Sequence, residues 1–305
     1  MTTLYDVPAP AKINLFLHVT GRRRDGYHQL QTVFRFIGLY DYLDFERRSD
    51  GVIYREGTAV QGLAADDDLV VRAARALQAA TGTRYGASIH YRKTIPAGGG
   101  LGGGSSDAAS TLIALNRLWR TGLSRRQLQE IGASLGADVP VFIFGDAAFA
   151  QGTGDQLQAL SLPEAAYVVI QPYASISTGQ VFSAPDLTRN SKPVTITVFT
   201  DWLHANAGKS AGTTPRYFGR NNLEPIALQL DAGLAKTSRW LVSQGINARM
   251  TGSGSCFFVE CRSLNQALAH QQEILVKINR YTDAVVKQVW ACPGLHEHPL
   301  KCWVN

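Results

Sequence analysis

The sequence predicts an α+β fold in two domains, and three observations carry that expectation. The chain has 305 residues, more than one ordinary domain needs. Its first half mixes strand and helix patterns. Its second half reads strand–helix–strand–strand–helix–strand, the ferredoxin-like or split βαβ order. Residues 1–160 and 161–305 are the expected domains, sharing a cleft.

Each element has its own signal in the sequence. Ile13 to Val19 alternates apolar and polar residues, as a half-buried strand does. Thr32 to Phe36 and Tyr42 to Arg47 read as two more strands. Leu69 to Ala80 is an amphipathic helix, and Ala87 to Arg92 is a strand feeding a glycine-rich stretch. Ala108, Leu112, Leu115 and Trp119 then fall at helical spacing. Ser124 to Leu135 is a further helix, with Ser124 as N-cap and Gln127 completing a capping box. Gly136-Ala137-Asp138-Val139-Pro140 breaks it. In the second half Tyr167 to Gln171 is a strand and Leu223 to Val242 a long amphipathic helix. Ala248 to Thr251 and Phe257 to Cys261 are strands joined by the turn Gly252-Ser253-Gly254-Ser255. Leu264 to Ile278 is a helix, and Ala284 to Ala291 the last strand. Ser175 to Gly219, rich in Ser, Thr, Pro, Asn and Gly, is too long for a simple connection. It reads as a functional flap or a partly disordered insertion.

The stretch from Pro96 through Ala97, Gly98, Gly99, Gly100, Leu101, Gly102, Gly103, Gly104, Ser105 and Ser106 carries the chemistry. Without side chains a backbone can approach a ligand closely and adopt positive φ. A glycine loop that opens a helix presents unpaired N–H groups and the positive end of the helix dipole, which together form an anion site. The Walker form needs a lysine after its last glycine, and none is present. Gly98, Gly100 and Gly103 satisfy the Rossmann spacing, but so many glycines make the match automatic. The preceding Ser88 to Lys93 is too polar for the buried first strand of a dinucleotide fold. No acidic ribose partner lies about twenty residues further on. A flexible linker would not run from a strand and a proline into a well-patterned helix.

Composition sets outer limits. Net charge is +6 and the pI about 9.2, which favours an anionic partner. The basic residues are scattered, so a small polyanion fits better than nucleic acid. No run approaches the length of a membrane span and no signal-peptide core is present, so a cytoplasmic protein is expected. Cys256, Cys261, Cys292 and Cys302 lack metal-binding spacing and read as free thiols in a reducing compartment. His18, His90, His204, His270, His296 and His298 show no ligand spacing and read as structural.

The glycine-serine loop opening a helix, the late Gly-Ser-Gly turn and the ferredoxin-like half together resemble the GHMP kinases. That superfamily includes galactokinase, homoserine kinase and mevalonate kinase. The usual loop ends Gly-Leu-Gly-Ser-Ser, whereas this chain inserts two glycines before Ser105. Pro10-Ala11-Lys12-Ile13-Asn14-Leu15, Arg24-Asp25-Gly26-Tyr27-His28, Gly136 to Phe142 and Met250 to Cys256 follow in the family's order. Together they resemble the branch that phosphorylates a cytidine-diphosphate conjugate of methylerythritol, in the non-mevalonate route to isoprenoid precursors. The resemblance implies a ribosomal-protein-S5-like N-terminal α/β domain binding ATP and a C-terminal domain binding substrate.

The resemblance also implies site roles. The loop residues 96–106 would hold the ATP phosphates, with Ser105 and Ser106 as hydroxyl contacts. Lys12 matches the family's catalytic lysine, and Asp138 matches its general base. Asn14, two residues from Lys12 on the same strand face, would touch the substrate. Tyr27 and His28 would recognise cytosine, Phe182 would stack on it, and Thr178 belongs to the same motif. Mg2+ is expected with ATP, its ligands unassigned. A monomer or weak homodimer is expected. Alternative readings are a mevalonate- or homoserine-type kinase and a non-catalytic RNA-binding relative. No function is assigned to 204–219 or to the C-terminal tail.

Overall fold

A computed structural model describes residues 2–56, 65–206, 217–280 and 285–304. The first half builds a six-stranded sheet from β1 (Thr3–Arg22), β2 (His28–Arg48), β3 (Ile53–Arg55), β4 (Gly86–Arg92), β5 (Ala148–Gln151) and β6 (Gln156–Ala159). β1 runs antiparallel along β2, whose residues 42–48 also pair with β4 and 32–34 with β5. Four helices accompany this half: α1 (Leu69–Thr81), α2 (Gly103–Trp119), α3 (Arg125–Leu135) and α4 (Val139–Phe144). Their apolar sides share a buried core with the sheet, including Phe36, Phe45, Leu112, Leu115, Trp119 and Phe142.

Thr32 to Phe36 and Tyr42 to Arg47, expected as two strands, are one. Gly38 looks like a break but is there for close approach, since a Cβ on it would lie 2.7 Å from Pro293 Cγ. The pairing with β1 jumps between Pro10↔Tyr40 and Ala11↔Ile37. A bulge therefore absorbs the irregular residues while the strand continues.

The second half contains β7 (Ala166–Pro172), α5 (Thr178–Ser183), α6 (Ile196–Asn206), α7 (Glu224–Leu230), α8 (Ala232–Ser243), β8 (Arg249–Met250), β9 (Phe257–Cys261), α9 (Leu264–Asn279) and β10 (Val286–Pro293). The sheet order β10-β7-β9-β8, antiparallel throughout, is that of the expected ferredoxin-like arrangement. The single helix expected over Leu223 to Val242 is two. Asp231 ends α7 and turns its carboxylate onto the Leu234 N–H at 2.7 Å, capping α8, the use to which a helix start puts an aspartate. The expected flap over Ser175 to Gly219 contains α5 and α6; residues 207–216 of it, and Ala284 of the last strand, lie outside the described residues.

The two sheets meet through a third buried cluster. Ile13, Phe16, Val33, Ile37 and Phe149 from one side pack with Tyr167, Val169, Phe258 and Cys292 from the other. The chain also crosses back. Leu300 and Val304 enter the first core, and Arg125 donates to the carbonyls of Ile143 (2.6 Å), Lys301 (2.7 Å) and Val304 (2.6 Å). The C-terminal end of α4 is thus tied to the tail. Cys256, Cys261 and Cys292 are buried free thiols and Cys302 is an exposed one. Among the described residues no helix is long and apolar enough to cross a membrane.

Candidate active site

Lys12 and Asp138, separated by most of the first half of the chain, meet. Lys12 Nζ lies 3.1 Å from Asp138 Oδ2 and donates to Asn14 Oδ1 at 2.8 Å. The lysine is 3% exposed, and its ammonium sits over the Phe34 ring at 5.2 Å. Burying a long cationic side chain is costly unless its charge is met; here a carboxylate, an amide oxygen and an aromatic face meet it. The amide of Asn14 is itself fixed, since Nδ2 donates to Thr32 Oγ1 at 2.9 Å and the Asn14 N–H donates to Thr251 Oγ1 at 3.0 Å. Asp138 stands at the N-cap position of α4 without capping it. Its carboxylate therefore stays available, with a side chain 36% exposed.

The glycine loop packs against this pair. Gly98, Gly100 and Gly102 all have positive φ. A Cβ on Gly100 would lie 2.2 Å from the Thr251 carbonyl oxygen, and one on Gly102 3.1 Å from Lys12 Cε. Leu101 O accepts from Lys12 N at 2.9 Å, and the late turn closes the other side through Cys256 N donating to Gly99 O at 3.1 Å. α2 then starts at Gly103 with no side-chain cap, leaving its first N–H groups for an external acceptor.

The loop's residues divide by exposure. Ala97, Gly98 and Gly104 are exposed and Pro96, Gly100, Gly102, Gly103 and Ser105 half-buried, whereas Gly99, Leu101 and Ser106 are buried. Ser106 Oγ donates to Pro10 O at 2.7 Å. That bond holds α2 to β1. Leu101 likewise belongs to the cluster between the sheets.

Beneath the loop lies a charged cluster that sequence reasoning missed. Lys93 Nζ bonds Asp41 and, at 2.5 Å, Asp107 Oδ2, while Asp41 Oδ1 accepts from Thr94 N and Ile95 N. Burial opposes the charge of Lys93, but Asp107 and Asp41 outweigh it and raise its pKa. Burial also pushes the Asp107 carboxyl up to about 7, with Asp41 adding to the rise and Lys93 opposing it. Three scattered charges at unrelated spacings give no motif to read.

A second group forms around the loop from β1 to β2. The rings of His28 and Phe182 lie 5.1 Å apart at 34°, and Arg189 Nε donates to His28 Nε2 at 3.0 Å. Tyr27 is 66% exposed and makes no ring contact among the described residues. Thr178, at the start of α5, shares a 2.6 Å hydrogen bond with Ser253. The late turn thereby links all parts: Ser253 to Thr178, Thr251 to Asn14, and residues 255–256 to the glycine loop. Arg189 was not singled out from the sequence, and Thr251 and Ser253 were read only as parts of the late turn, with no contact assigned to either side chain. Among the described residues no group of three or more His, Cys, Asp or Glu side chains could hold a metal ion.

A buried ammonium thus lies beside an open carboxylate at the glycine loop, on two joined α+β halves, an arrangement suited to phosphoryl transfer. The family model for the GHMP kinases N terminal domain matches residues 68–146, spanning the loop and Asp138. A 4-diphosphocytidyl-2-C-methyl-D-erythritol kinase from Bordetella parapertussis is 54% identical over 308 residues, covering 99% of each chain. A crystal structure of 4-(cytidine 5'-diphospho)-2C-methyl-D-erythritol kinase superposes with a TM-score of 0.75 at 32% identity, covering 94% of this chain and 98% of that one. A homoserine kinase from Cytophaga hutchinsonii, 15% identical with a TM-score of 0.64 over 98% of this chain and 96% of its own, shares the fold. The chain belongs to the 4-diphosphocytidyl-2-C-methyl-D-erythritol kinase family.

Proposed function

We infer that the protein is an ATP-dependent kinase that phosphorylates the 2-hydroxyl of 4-diphosphocytidyl-2-C-methyl-D-erythritol in the cytoplasm, acting as a monomer or weak homodimer. The observation that carries the mechanism is the 3.1 Å approach of Lys12 to Asp138 at the glycine loop. Phosphoryl transfer asks a protein for in-line positioning and for neutralisation of spreading charge rather than for covalent chemistry. The free N–H groups opening α2 and the backbone of residues 96–104 fit a chain of phosphate oxygens, with Ser105 at their edge. Asp138 accepts the proton of the attacking hydroxyl, and Lys12 offsets the charge developing on the transferred group. Mg2+ bound to ATP would supply further neutralisation; it commonly keeps several waters and takes few protein ligands. His28, Phe182 and Tyr27 would hold the cytosine, and Asn14 and Thr178 would line the path between base and phosphate. Residues 1–160 are assigned chiefly to ATP, and 161–305 chiefly to the second substrate.

Relatedness at 54% identity to the cytidine-conjugate kinase, against 15% to a homoserine kinase, favours this substrate over those of the other branches. The intact Lys12–Asp138 pair favours catalysis over an RNA-binding role, for which neither group is needed. The test is the purified protein with ATP and Mg2+ against 4-diphosphocytidyl-2-C-methyl-D-erythritol, mevalonate and homoserine. ATP-dependent phosphorylation of the cytidine conjugate alone is expected. Phosphate transfer to mevalonate or homoserine instead overturns the assignment.

A further inference from the structure

Arg189 follows α5 as one basic residue in an irregular connection. Its guanidinium is spent entirely on one neighbourhood. Nη1 donates to the carbonyls of Pro185 and Leu187, both at 3.1 Å, and Nη2 to those of Phe182 (3.2 Å) and Ala184 (2.7 Å). Nε donates to His28 Nε2 at 3.0 Å. The five donors of an arginine thus have five acceptors.

This arrangement fixes the state of the imidazole. A guanidinium donates and never accepts, so His28 Nε2 must present its lone pair. Burial, and then the charges of Arg189 and Arg22, lower the pKa of His28, which leaves the ring neutral at pH 7. A neutral imidazole with Nε2 unprotonated carries its one hydrogen on Nδ1. Nδ1 meets no protein acceptor among the described residues, so its N–H is available to a ligand. The same guanidinium grips the Phe182 carbonyl, whose ring lies against His28. The tautomer and the aromatic platform are therefore set by one residue.

We propose that Arg189 is a positioning residue that holds His28 as its Nδ1–H tautomer, so that the pocket offers a donor to the base and selects cytosine over uracil. The proposal rests on the cytidine-kinase reading above. Cytosine N3 is a bare acceptor, whereas uracil N3 carries a hydrogen. A donor facing a donor leaves both groups unpaired, and enzymes discriminate strongly by such mismatches. If Arg189 only tied down its loop, losing it would impair both bases alike.

The test uses the full-length protein in two measurements. The first is kcat/KM for the cytidine conjugate and for its uridine counterpart, in the wild type and in Arg189→Ala. The wild type is expected to prefer cytidine, and the variant to lose about tenfold or more of that preference, because an unpinned imidazole can turn an acceptor to uracil N3–H. The second is the 15N spectrum of the His28 imidazole in the wild type, where a protonated Nδ1 and a bare Nε2 are expected. An unchanged cytidine-to-uridine ratio in the variant, a wild type indifferent to the base, or a protonated wild-type Nε2 overturns the proposal. If Arg189→Ala does not fold, the wild-type spectrum and base preference decide it. A wild type inactive on both conjugates refutes the kinase reading instead, while the spectrum still reports on the tautomer.

Discussion

The two ends of the site are built differently. At the phosphoryl end Lys12 is 3% exposed, Asn14 is pinned through both its amide and its backbone, and two positive-φ glycines are packed closely, Gly100 against the late turn and Gly102 against the lysine. At the base end Tyr27 is 66% exposed and without ring contacts among the described residues, and Thr178 is exposed. Among the described residues His28, Phe182 and Arg189 form a fixed group there, and Thr178 is held by Ser253. The difference suits the work we propose for each end. Charge developing in a transition state is stabilised by dipoles already aimed at it, because reorientation during the reaction would cost what it gains. A base arrives as a stable, flat, apolar-faced group, and exposed aromatics can close on it when it binds. The phosphoryl end should therefore respond to single substitutions through turnover, and the base end through affinity.

Asp138→Asn tests the first half of that statement most severely. Turnover should fall about a hundredfold or more, the range for a lost general base. The fold should persist, because the side chain is partly open and caps nothing. Steady-state kinetics beside a thermal melt check both points. Turnover close to wild type would remove Asp138 from its role and make the two ends alike.

Two glycines sharpen the comparison within the phosphoryl end. Gly98 and Gly100 both have positive φ, at 68° and 74°, but a Cβ on Gly98 meets nothing within 4 Å. Gly98→Ala should cost only the backbone strain of a left-handed alanine, about 1–2 kcal/mol. Gly100→Ala adds a collision with the Thr251 carbonyl at 2.2 Å, which must push the loop off the late turn. It should lower kcat/KM for ATP at least about tenfold beyond Gly98→Ala, since misplacement by about 1 Å can cost as much as a hundredfold. Equal losses in the two variants would show that the docking of the loop on the turn is unimportant.

Much of this contrast was readable in the sequence, and most of the unread part has a common cause. The phosphoryl end announces itself because backbone geometry demands glycines where φ is positive; elsewhere Ser124 with Gln127 marks the start of α3, a capping box the structure contains. The strand order of the second half was legible from periodicity, because each strand buries one face. What failed to show were mostly features set by distant partners, with a helix division at Asp231 as the local exception. Gly38 and Asp41 look like a strand break until Pro293 and the Thr94–Ile95 N–H groups supply their reasons. Asp231 looks like one polar position in a long helix, and only its bond to Leu234 shows that it divides two. Ser106 reads as the neighbour of Ser105, and its buried bond to Pro10, 96 residues away, has no sequence signal. Arg189 carries no motif: its four carbonyl partners, at 182, 184, 185 and 187, are near in sequence, but its bond to the His28 ring is made only by the fold.

Phe182→Ala probes the base end. Removal of a stacking face should weaken binding of the cytidine substrate by about 1–3 kcal/mol, seen as a rise in its KM with little change in kcat or in the KM for ATP. Isothermal titration with the cytidine conjugate gives the affinity directly. A fall in kcat at unchanged substrate affinity would mean that Phe182 supports the chemistry rather than the base.

The smallest effect concerns what holds α4, and with it Asp138, in place. His298 is buried, accepts from the Leu300 N–H at 3.1 Å through Nδ1, and packs its ring against Phe36 and Phe142. Burial, with Arg125 adding to it, lowers its pKa to about 3. The folded value thus lies below the unfolded value of about 6.5. The neutral imidazole therefore contributes stability that is complete above pH 6.5 and is lost as pH falls toward 3. Between pH 6.5 and pH 5 the loss should be about 2 kcal/mol, at about 1.4 kcal/mol per unit. His298→Asn, which keeps an acceptor near Leu300 N and cannot titrate there, should show a flatter decline in denaturant-derived stability over that range. Its turnover at pH 8 should stay close to wild type, where both side chains are uncharged. An equally steep decline in the variant would place the acid-sensitive group elsewhere and leave the C-terminal tail as packing alone.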